Sequence, residues 1–297
     1  MLDGKAASAA VKEELKTRVE KLQGEGKTPG LATLLVGDDP GSHVYVRNKH
    51  KACEDLGIHS VREDLSEGST SNQVLAVIER FNEDPAIDAF LIQYPVPEHL
   101  DYNELLLAMN PEKDADGLHP LNLGFLALGK KDAPRPGTPS GIVELLSRHF
   151  VPIEERHVVI VGRGPTVGRP LAIMLSLKEP NANATVTQCH TGTRLLPELT
   201  RQADILVAAT GVARLITPAM VQPGAAVLDV GITRTNRGIE GDVHPKVADV
   251  AGWLAPIPGG VGPMTVAMLL RNVVDAAERN PPKPEPEPEP DEDKKKK

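Results

Sequence analysis

The stretch VVIVGRGPTVGRPLAIML, residues 158–175, decides the fold. A short apolar strand runs into an apolar helix through Gly162-Arg163-Gly164-Pro165-Thr166-Val167-Gly168. Glycine permits a tight turn and close approach by a phosphate, while the free N–H groups at a helix start face an anion. The spacing is GxGxxxG rather than GxGxxG, so the turn takes its meaning from the strand before it and the helix after it. Read alone, it also fits a glycine turn that only packs helix on strand. In context, it predicts a nicotinamide dinucleotide held at the helix start.

Working outward, the same alternation recurs. RHVVIVG (156–162), ATVTQC (184–189), ADILVAAT (203–210) and AAVLDVG (225–231) predict strands, and a helix is expected over 139–150. In the first half, apolar spacing near 3.6 (Ala7, Val11, Leu15, Val19, Leu22) predicts a helix over 4–23. LATLLVG (31–37) reads as a strand, and Ser42 is a candidate cap for a helix bearing Tyr45, Lys49 and Cys53 on one face. IHSVRED (58–64), a helix over 71–83 capped within 69–72, and strand AIDAFLIQYP (86–95) follow. This βαβαβ order predicts a parallel sheet with right-handed crossovers.

Residues 110–140 and 256–265 (PIPGGVGPMT) break the rhythm with Pro, Gly and Asp, as functional or linking loops do. A helix over 265–279 closes the folded part. The expected fold is α/β: two α/β domains flanking a cleft, the second a Rossmann-like doubly wound parallel sheet. The first domain comprises 1–138 with 263–280, the second 139–262. The Pro-Glu/Lys tail 281–297 carries no apolar residue to bury and is expected to be disordered.

Composition narrows the function. The chain has 297 residues, 40% hydrophobic and 25% charged, the balance of a soluble globular protein. Only 3% are aromatic, so the core rests on Val, Ile, Leu and Ala, as in parallel sheets buried on both faces. A formal charge of −8 argues against coating nucleic acid. Two cysteines, Cys53 and Cys189, make neither a disulfide scaffold nor a zinc pattern, and the nine histidines show no ligand spacing, so no metal is expected. The N-terminus lacks the apolar stretch of a signal peptide, and no run approaches the roughly 20 apolar residues of a membrane span. A cytoplasmic location, with no membrane partner, is the expectation.

The second strand of the dinucleotide unit ends Gln188-Cys189-His190-Thr191, where an NAD site usually places an acid to grip the ribose diol. Arg163 in the turn, with Thr191 and Arg194, offers donors suited to a 2′-phosphate instead. The cofactor expected is therefore NADP. In the first half, Tyr45 and Lys49 lie one helical turn apart, Gln93 stands at the carboxyl end of an apolar strand, and Asp116 sits in KDADG beside the junction. Each alone has a bland reading as a solvated charge or a turn residue.

Together they have company. YVRNKHKACEDLGI (45–58), IQYPVP (92–97), PEKDADGLHPLNLG (111–124), PGTPSGIVELL (136–146), VGRGPTVGRPLA (161–172) and PIPGGVGPMT (256–265) occur in this order. Over residues 1–279 the chain resembles the bifunctional methylenetetrahydrofolate dehydrogenase/methenyltetrahydrofolate cyclohydrolase family. The resemblance implies oxidation of 5,10-methylenetetrahydrofolate with NADP, then hydrolysis of the methenyl product to 10-formyltetrahydrofolate. It implies one-carbon tetrahydrofolate derivatives as ligands and a homodimer joined through the cofactor domain. By the same resemblance Lys49 is the catalytic amine, Gln93 orients it, Tyr45 lies on the folate ring system and Asp116 pairs with pterin donors. Ile92 and Tyr94 flank Gln93 in the substrate set, and Pro258, Gly259, Gly260, Val261 and Gly262 close over the folate. Gly162, Arg163, Gly164, Gly168 and Thr191 contact NADP, with Ile232 bordering it.

Two departures stand out. The family commonly reads Gly-Arg-Ser where this chain has Gly164 third, and Gln-Leu-Pro-Leu-Pro where it has Gln93-Tyr94-Pro95-Val96-Pro97. Three alternatives compete: a dehydrogenase without the hydrolytic step, an unrelated keto-acid or shikimate-type oxidoreductase, and a binding protein that has lost catalysis.

Overall fold

Apolar β-branched runs too short for helices form two parallel sheets, and amphipathic segments cover them. A computed structural model describes residues 1–236 and 238–280; the expectation for 281–297 lies outside these. In chain order, α1 (Gly4–Gly24), β1 (Gly30–Val36), α2 (Pro40–Leu56), β2 (His59–Leu65), α3 (Ser71–Glu83) and β3 (Ala89–Ile92) build the first unit. The helices α4 (Tyr102–Ala108), α5 (Pro120–Ala127) and α6 (Gly137–Arg148) lead to the second. There β4 (His157–Val161), α7 (Gly168–Ser176), β5 (Thr185–Cys189), α8 (Leu196–Thr200), β6 (Ile205–Ala208) and β7 (Ala226–Asp229) alternate. A hairpin of β8 (Ile232–Thr235) and β9 (Gly238–Gly241), then β10 (Trp253–Ala255) and α9 (Val261–Arg279), complete the described chain.

The first sheet has the order β2-β1-β3 and the second β10-β7-β6-β4-β5, each parallel throughout. In each, the earliest strand lies inside the sheet with later strands on both sides. Connections therefore depart in opposite directions from β1 and from β4, leaving a crevice at their carboxyl ends, where open α/β sheets bind ligands. Gln93 follows β3 at one such end, and the glycine turn follows β4 at the other.

Three apolar clusters hold this arrangement. One packs the outer face of the first sheet (Leu34, Ile92) under α3 and α4 through Phe81, Phe90 and Leu105, with the Phe81 and Phe90 rings edge to face at 5.5 Å. Another backs the second sheet. The largest joins both, placing α1, α6 and α9 between Leu31 and Leu91 of the first sheet and Val158, Ile160 and Val207 of the second. Each fully buried aliphatic side chain contributes roughly 1.5–3 kcal/mol.

Local signals differ from expectation in places with a physical reason. α2 is capped by Asp39, whose carboxylate accepts from the Ser42 N–H at 2.7 Å, rather than by Ser42. Pro40 fits the first turn, where its missing N–H costs nothing, and the Ser42 hydroxyl donates to Asp39 at 2.9 Å. α3 is capped by Thr70, within the expected 69–72, with Gln73 completing a capping box. The segment 110–140, read as irregular, contains α5 and a 3-10 turn at Pro111–Lys113. Among the described residues no helix is long and apolar enough to cross a membrane, and no group of three or more His, Cys, Asp and Glu side chains is placed to hold a metal ion.

Candidate active site

Lys49 projects from α2 and is only 9% exposed, with Nζ donating to Gln93 Oε1 at 3.3 Å. The Gln93 backbone N–H extends the sheet by bonding to Leu34 O at 2.8 Å, which fixes where its side chain starts. Its Nε2 donates to Tyr94 O at 2.8 Å. With the amide nitrogen so engaged, the carbonyl oxygen is the end that faces the amine. Tyr45, one turn before Lys49, is 44% exposed. Cys53 on the same helix is fully buried, and burial pushes its thiol up to about 12, so it stays protonated and inert.

The Tyr94 ring packs edge to face on Tyr102 at 5.2 Å, and the Tyr102 hydroxyl donates to Ile92 O at 3.4 Å. Burial raises the Tyr102 phenol, and the nearby carboxylates of Asp116 and Asp114 raise it further. Tyr102 thus buttresses the Gln93 end of β3, near enough to the Asp116 loop for its carboxylates to act on the phenol. Ile92 itself puts its side chain into the core, leaving its backbone at the site.

The loop bearing Asp116 is built around Asp114, which is 2% exposed. Asp114 bridges Phe90 as a parallel continuation of the sheet, and its carboxylate accepts from Gly117 N (2.9 Å), His119 N (2.7 Å) and Asn122 Nδ2 (2.9 Å). Burial pushes this carboxyl above its usual range, against the hydrogen bonds from Asn122 and His119. From α9, Asn272 Nδ2 donates to Ala115 O at 2.9 Å and Arg135 O at 3.0 Å, tying the loop down. Asp114, Tyr102 and Asn272 are functional-site supports that sequence reasoning missed. KDADG announced a loop, but nothing in it says which aspartate turns inward.

The loop Pro258–Gly262 starts α9, with Gly260 as its cap residue and Gly259 at φ +105°. The beginning of the chain is stitched to it. Leu2 N donates to Leu254 O at 2.8 Å and Gly4 N to Gly259 O at 3.0 Å. A Cβ on Gly4 would stand 1.6 Å from Gly260 O. Val261 is buried, whereas Gly262 is exposed with open space around it.

At the second crevice, Gly162 adopts φ +135°, and a Cβ there would lie 2.2 Å from Ala209 O. A Cβ on Gly168 would lie 2.3 Å from Gly162 O. Both glycines are therefore required by the turn. Gly164 is not, since a Cβ there meets nothing within 4 Å. A cavity of about 470 Å³ opens beside the turn, lined by Gly162, Arg163, Gly164, Thr191, Thr210 and Val212 among others. Ile232 lies just outside this lining, 44% exposed, where its neighbour Thr233 donates through Oγ1 to Gly211 O at 2.9 Å. Arg194 is exposed and not part of the lining. Because Gly164 has room, Gly164→Ser is expected to change stability by less than about 0.5 kcal/mol. By restoring a hydroxyl donor to a charged ligand, worth ~1.5 kcal/mol, it is expected to tighten NADP binding about tenfold. Thermal melts and a calorimetric titration read the two effects.

A buried carboxylate pair anchors the wall of this cavity. Asp242 Oδ2 accepts from Thr210 N (2.5 Å), Thr210 Oγ1 (2.8 Å) and Gly211 N (3.2 Å), and Asp242 N donates to Asp229 Oδ1 at 2.7 Å. Burial pushes the Asp229 carboxyl up to about 7, and repulsion from Asp242 adds to that, against N–H groups of Val243 and Asp242. A carboxyl raised on folding binds its proton more tightly in the native state. Its contribution to stability is therefore full below the ordinary value near 3.8 and is lost as pH rises to about 7. Asp229→Asn, which keeps an acceptor for Asp242 N–H, is expected to remove that fall. Urea midpoints of both proteins between pH 4 and 8 check it, and parallel curves would refute it.

Comparison with known proteins gives this geometry its family. Residues 2–116 match the model for the tetrahydrofolate dehydrogenase/cyclohydrolase catalytic domain, and residues 136–281 match that for its NAD(P)-binding domain. Among solved structures, the bifunctional FolD methylenetetrahydrofolate dehydrogenase/cyclohydrolase of Campylobacter jejuni is 44% identical, with 94% of this chain and 98% of that one covered and a TM-score of 0.90. A 5,10-methylenetetrahydrofolate dehydrogenase of the silkworm Bombyx mori is 40% identical over 94% and 98% of the two chains, TM-score 0.88. The Trypanosoma brucei methylenetetrahydrofolate dehydrogenase-cyclohydrolase, complexed with NADP and an inhibitor, is 36% identical over 93% and 96%, TM-score 0.87. With both of its halves matched and relatives this near along nearly all its length, the chain belongs to the tetrahydrofolate dehydrogenase/cyclohydrolase family.

Proposed function

We propose that this chain oxidises 5,10-methylenetetrahydrofolate to 5,10-methenyltetrahydrofolate with NADP and hydrolyses that product to 10-formyltetrahydrofolate. The observation that carries the reading is the buried Lys49 ammonium held 3.3 Å from Gln93 Oε1 at a sheet's carboxyl end. A lysine kept out of water at a ligand crevice is an unusual arrangement for a mere surface charge.

The second crevice fits a dinucleotide. Two glycines there cannot carry a side chain, a helix start faces the turn, and no acid ends β5 to oppose a 2′-phosphate. Gly162, Arg163, Gly164, Gly168 and Thr191 would hold NADP, with Ile232 at its border, and the nicotinamide supplies the hydride acceptor. Lys49 serves the hydrolytic step, moving a proton between water and the opening ring, with Gln93 fixing the direction of its amine. Tyr45 presents an exposed ring to the pteridine. Asp116 accepts hydrogen bonds from pterin N–H groups, and the loop Pro258-Gly259-Gly260-Val261-Gly262 covers the folate. Ile92 takes part through its backbone and Tyr94 through its exposed ring.

Residues 1–138 with 263–280 form the folate-binding domain in this reading and 139–262 the NADP domain; packing of α9 against α1, β1 and β3 supports the return of the last helix to the first domain. Family membership supports three further assignments: a homodimer joined through the NADP domains, a cytoplasmic location, and supply of one-carbon units to purine biosynthesis. The deciding experiment supplies methylenetetrahydrofolate with NADP and with NAD in parallel, following reduced cofactor and methenyl product separately. Reduction of NADP without lasting accumulation of methenyl product is expected. No reduction of either cofactor would sink the reading.

A further inference from the structure

The hairpin of β8 and β9 stands beside the nucleotide cavity without lining it. Its root is fixed to the end of β6 through Asp242, which accepts from Thr210 and Gly211, and through Thr233, which donates to Gly211 O. From this base Arg234 crosses to the first domain and lays its guanidinium against the backbone of Gly41, in the first turn of α2. A Cβ on Gly41 would lie 1.5 Å from Nη2 of Arg234, 2.5 Å from Cζ and 2.8 Å from Nη1. Asp39, the cap of the same helix, lies within the field of that cation. The Ser42 N–H and hydroxyl hold its carboxyl below the usual range, and the charge of Arg234 adds to them.

Glycine in the first turn of a helix is a poor choice for helix stability, about 1 kcal/mol worse than alanine in helix interiors. Gly41 is buried and has a negative φ, so no turn geometry demands it. The seat of the guanidinium does. α2 is a continuous helix of 17 residues, and Tyr45 and Lys49 sit four and eight residues beyond Gly41 on it. Movement of its first turn relative to the hairpin therefore carries both side chains relative to the nucleotide cavity.

We propose that Arg234 is a positioning residue: seated on Gly41 beside Asp39, it clamps α2 to the wall of the nucleotide cavity and sets the placement of Lys49 and Tyr45 against the bound cofactor. This rests on the functional reading above. The clamp acts between domains, whereas the Lys49–Gln93 pair lies within one. The oxidation step, which needs ligands on both domains in register, depends on the clamp; hydrolysis of supplied methenyltetrahydrofolate does not.

The test uses the full chain with Arg234→Ala, Gly41→Ala and the double variant. Methyl at position 41 takes the place of a flexible side-chain end, so Gly41→Ala folds and favours the helix while expelling the guanidinium. Each single variant is expected to lower the oxidation rate about tenfold, as a small misplacement of reacting groups does. Hydrolysis should stay near the wild-type rate, and the double variant should be no slower than either single one, since both remove the same contact. A nuclear magnetic resonance titration of the Asp39 carboxyl reads the contact without catalysis; its pKa is expected to rise in all three variants. An unmoved Asp39 titration would overturn the proposal, as would equal losses in both activities, unchanged oxidation, or additive losses in the double variant. A wild-type chain that reduces no NADP would instead sink the functional reading, while the Asp39 titration still reports on the clamp.

Discussion

Lys49→Met is expected to slow hydrolysis of methenyltetrahydrofolate by about 10²–10⁴-fold, the usual contribution of a positioned acid–base group. Methionine has nearly the length of lysine and no charge. It fills the same 9%-exposed space on α2 and removes the need to keep an ammonium away from water. The variant should therefore melt no lower than the parent, which separates lost chemistry from lost structure. Gln93 loses its donor partner on Oε1 but keeps the bond from Nε2 to Tyr94 O, so the strand end stays in place. The decay of methenyl absorbance measures the effect. Turnover equal to that of the parent would remove Lys49 from the mechanism and favour an enzyme that only oxidises its substrate.

The second large effect falls on stability. Asp114→Ala deletes the acceptor of three inward-facing donors, Gly117 N, His119 N and Asn122 Nδ2, in a place water does not reach. Leaving buried donors unpaired costs about 1–3 kcal/mol each, and partial relaxation of the loop makes a total on the order of 4 kcal/mol the expected loss. Asp114→Asn should lie between, because one of its two terminal atoms turns from acceptor to donor. Folate binding should weaken in the alanine variant beyond what stability explains, since Asp116 is two residues away on the same loop. Denaturant midpoints and a ligand titration read these outcomes. An unchanged midpoint would mean that the Phe90 bridge and Asn272 suffice to hold the loop.

What the chain announces about itself follows from the range of the interactions involved. β1 is buried at every position and α3 places Val74, Val77, Ile78 and Phe81 on one face, so period and composition reveal them. The glycine turn is legible because much of its constraint is local: Gly162 sits at φ +135° and Gly168 is compelled by atoms of the turn itself, with Ala209 O pressing on Gly162 from the neighbouring strand's end as well. The sequence does not mark β8 and β9 as strands. They pair only with each other in a two-stranded hairpin in which no described position is buried, so no apolar run marks them. The cap of α2 lies three residues before the expected Ser42 because Asp39 and Ser42 are both cap formers, and only the fold shows which accepts.

The site divides in the same way. Tyr45 and Lys49 are related by helical geometry alone, and Gln93 by the end of a strand. Tyr102, Asn272 and Arg234 matter through partners between 10 and more than 150 residues away, or on the opposite domain, and no short window contains those relations. The donors to the Asp114 carboxylate lie only three, five and eight residues on, and what the sequence does not show is its burial beside Phe90. Asp114 and Asp116 are of one chemical type in one short loop. Burial distinguishes them, and burial is a property of the whole fold.

The stitched beginning of the chain has a practical side. Leu2 is fully buried and Gly4 fits against Gly260 with no space for a methyl group, so the first four residues act as a hem along the glycine-rich edge that opens α9. Trimming that reaches Gly4 undoes that hem directly. Removal of residues 1–4 is expected to lower the affinity for folate, and a ligand titration of the trimmed chain checks it.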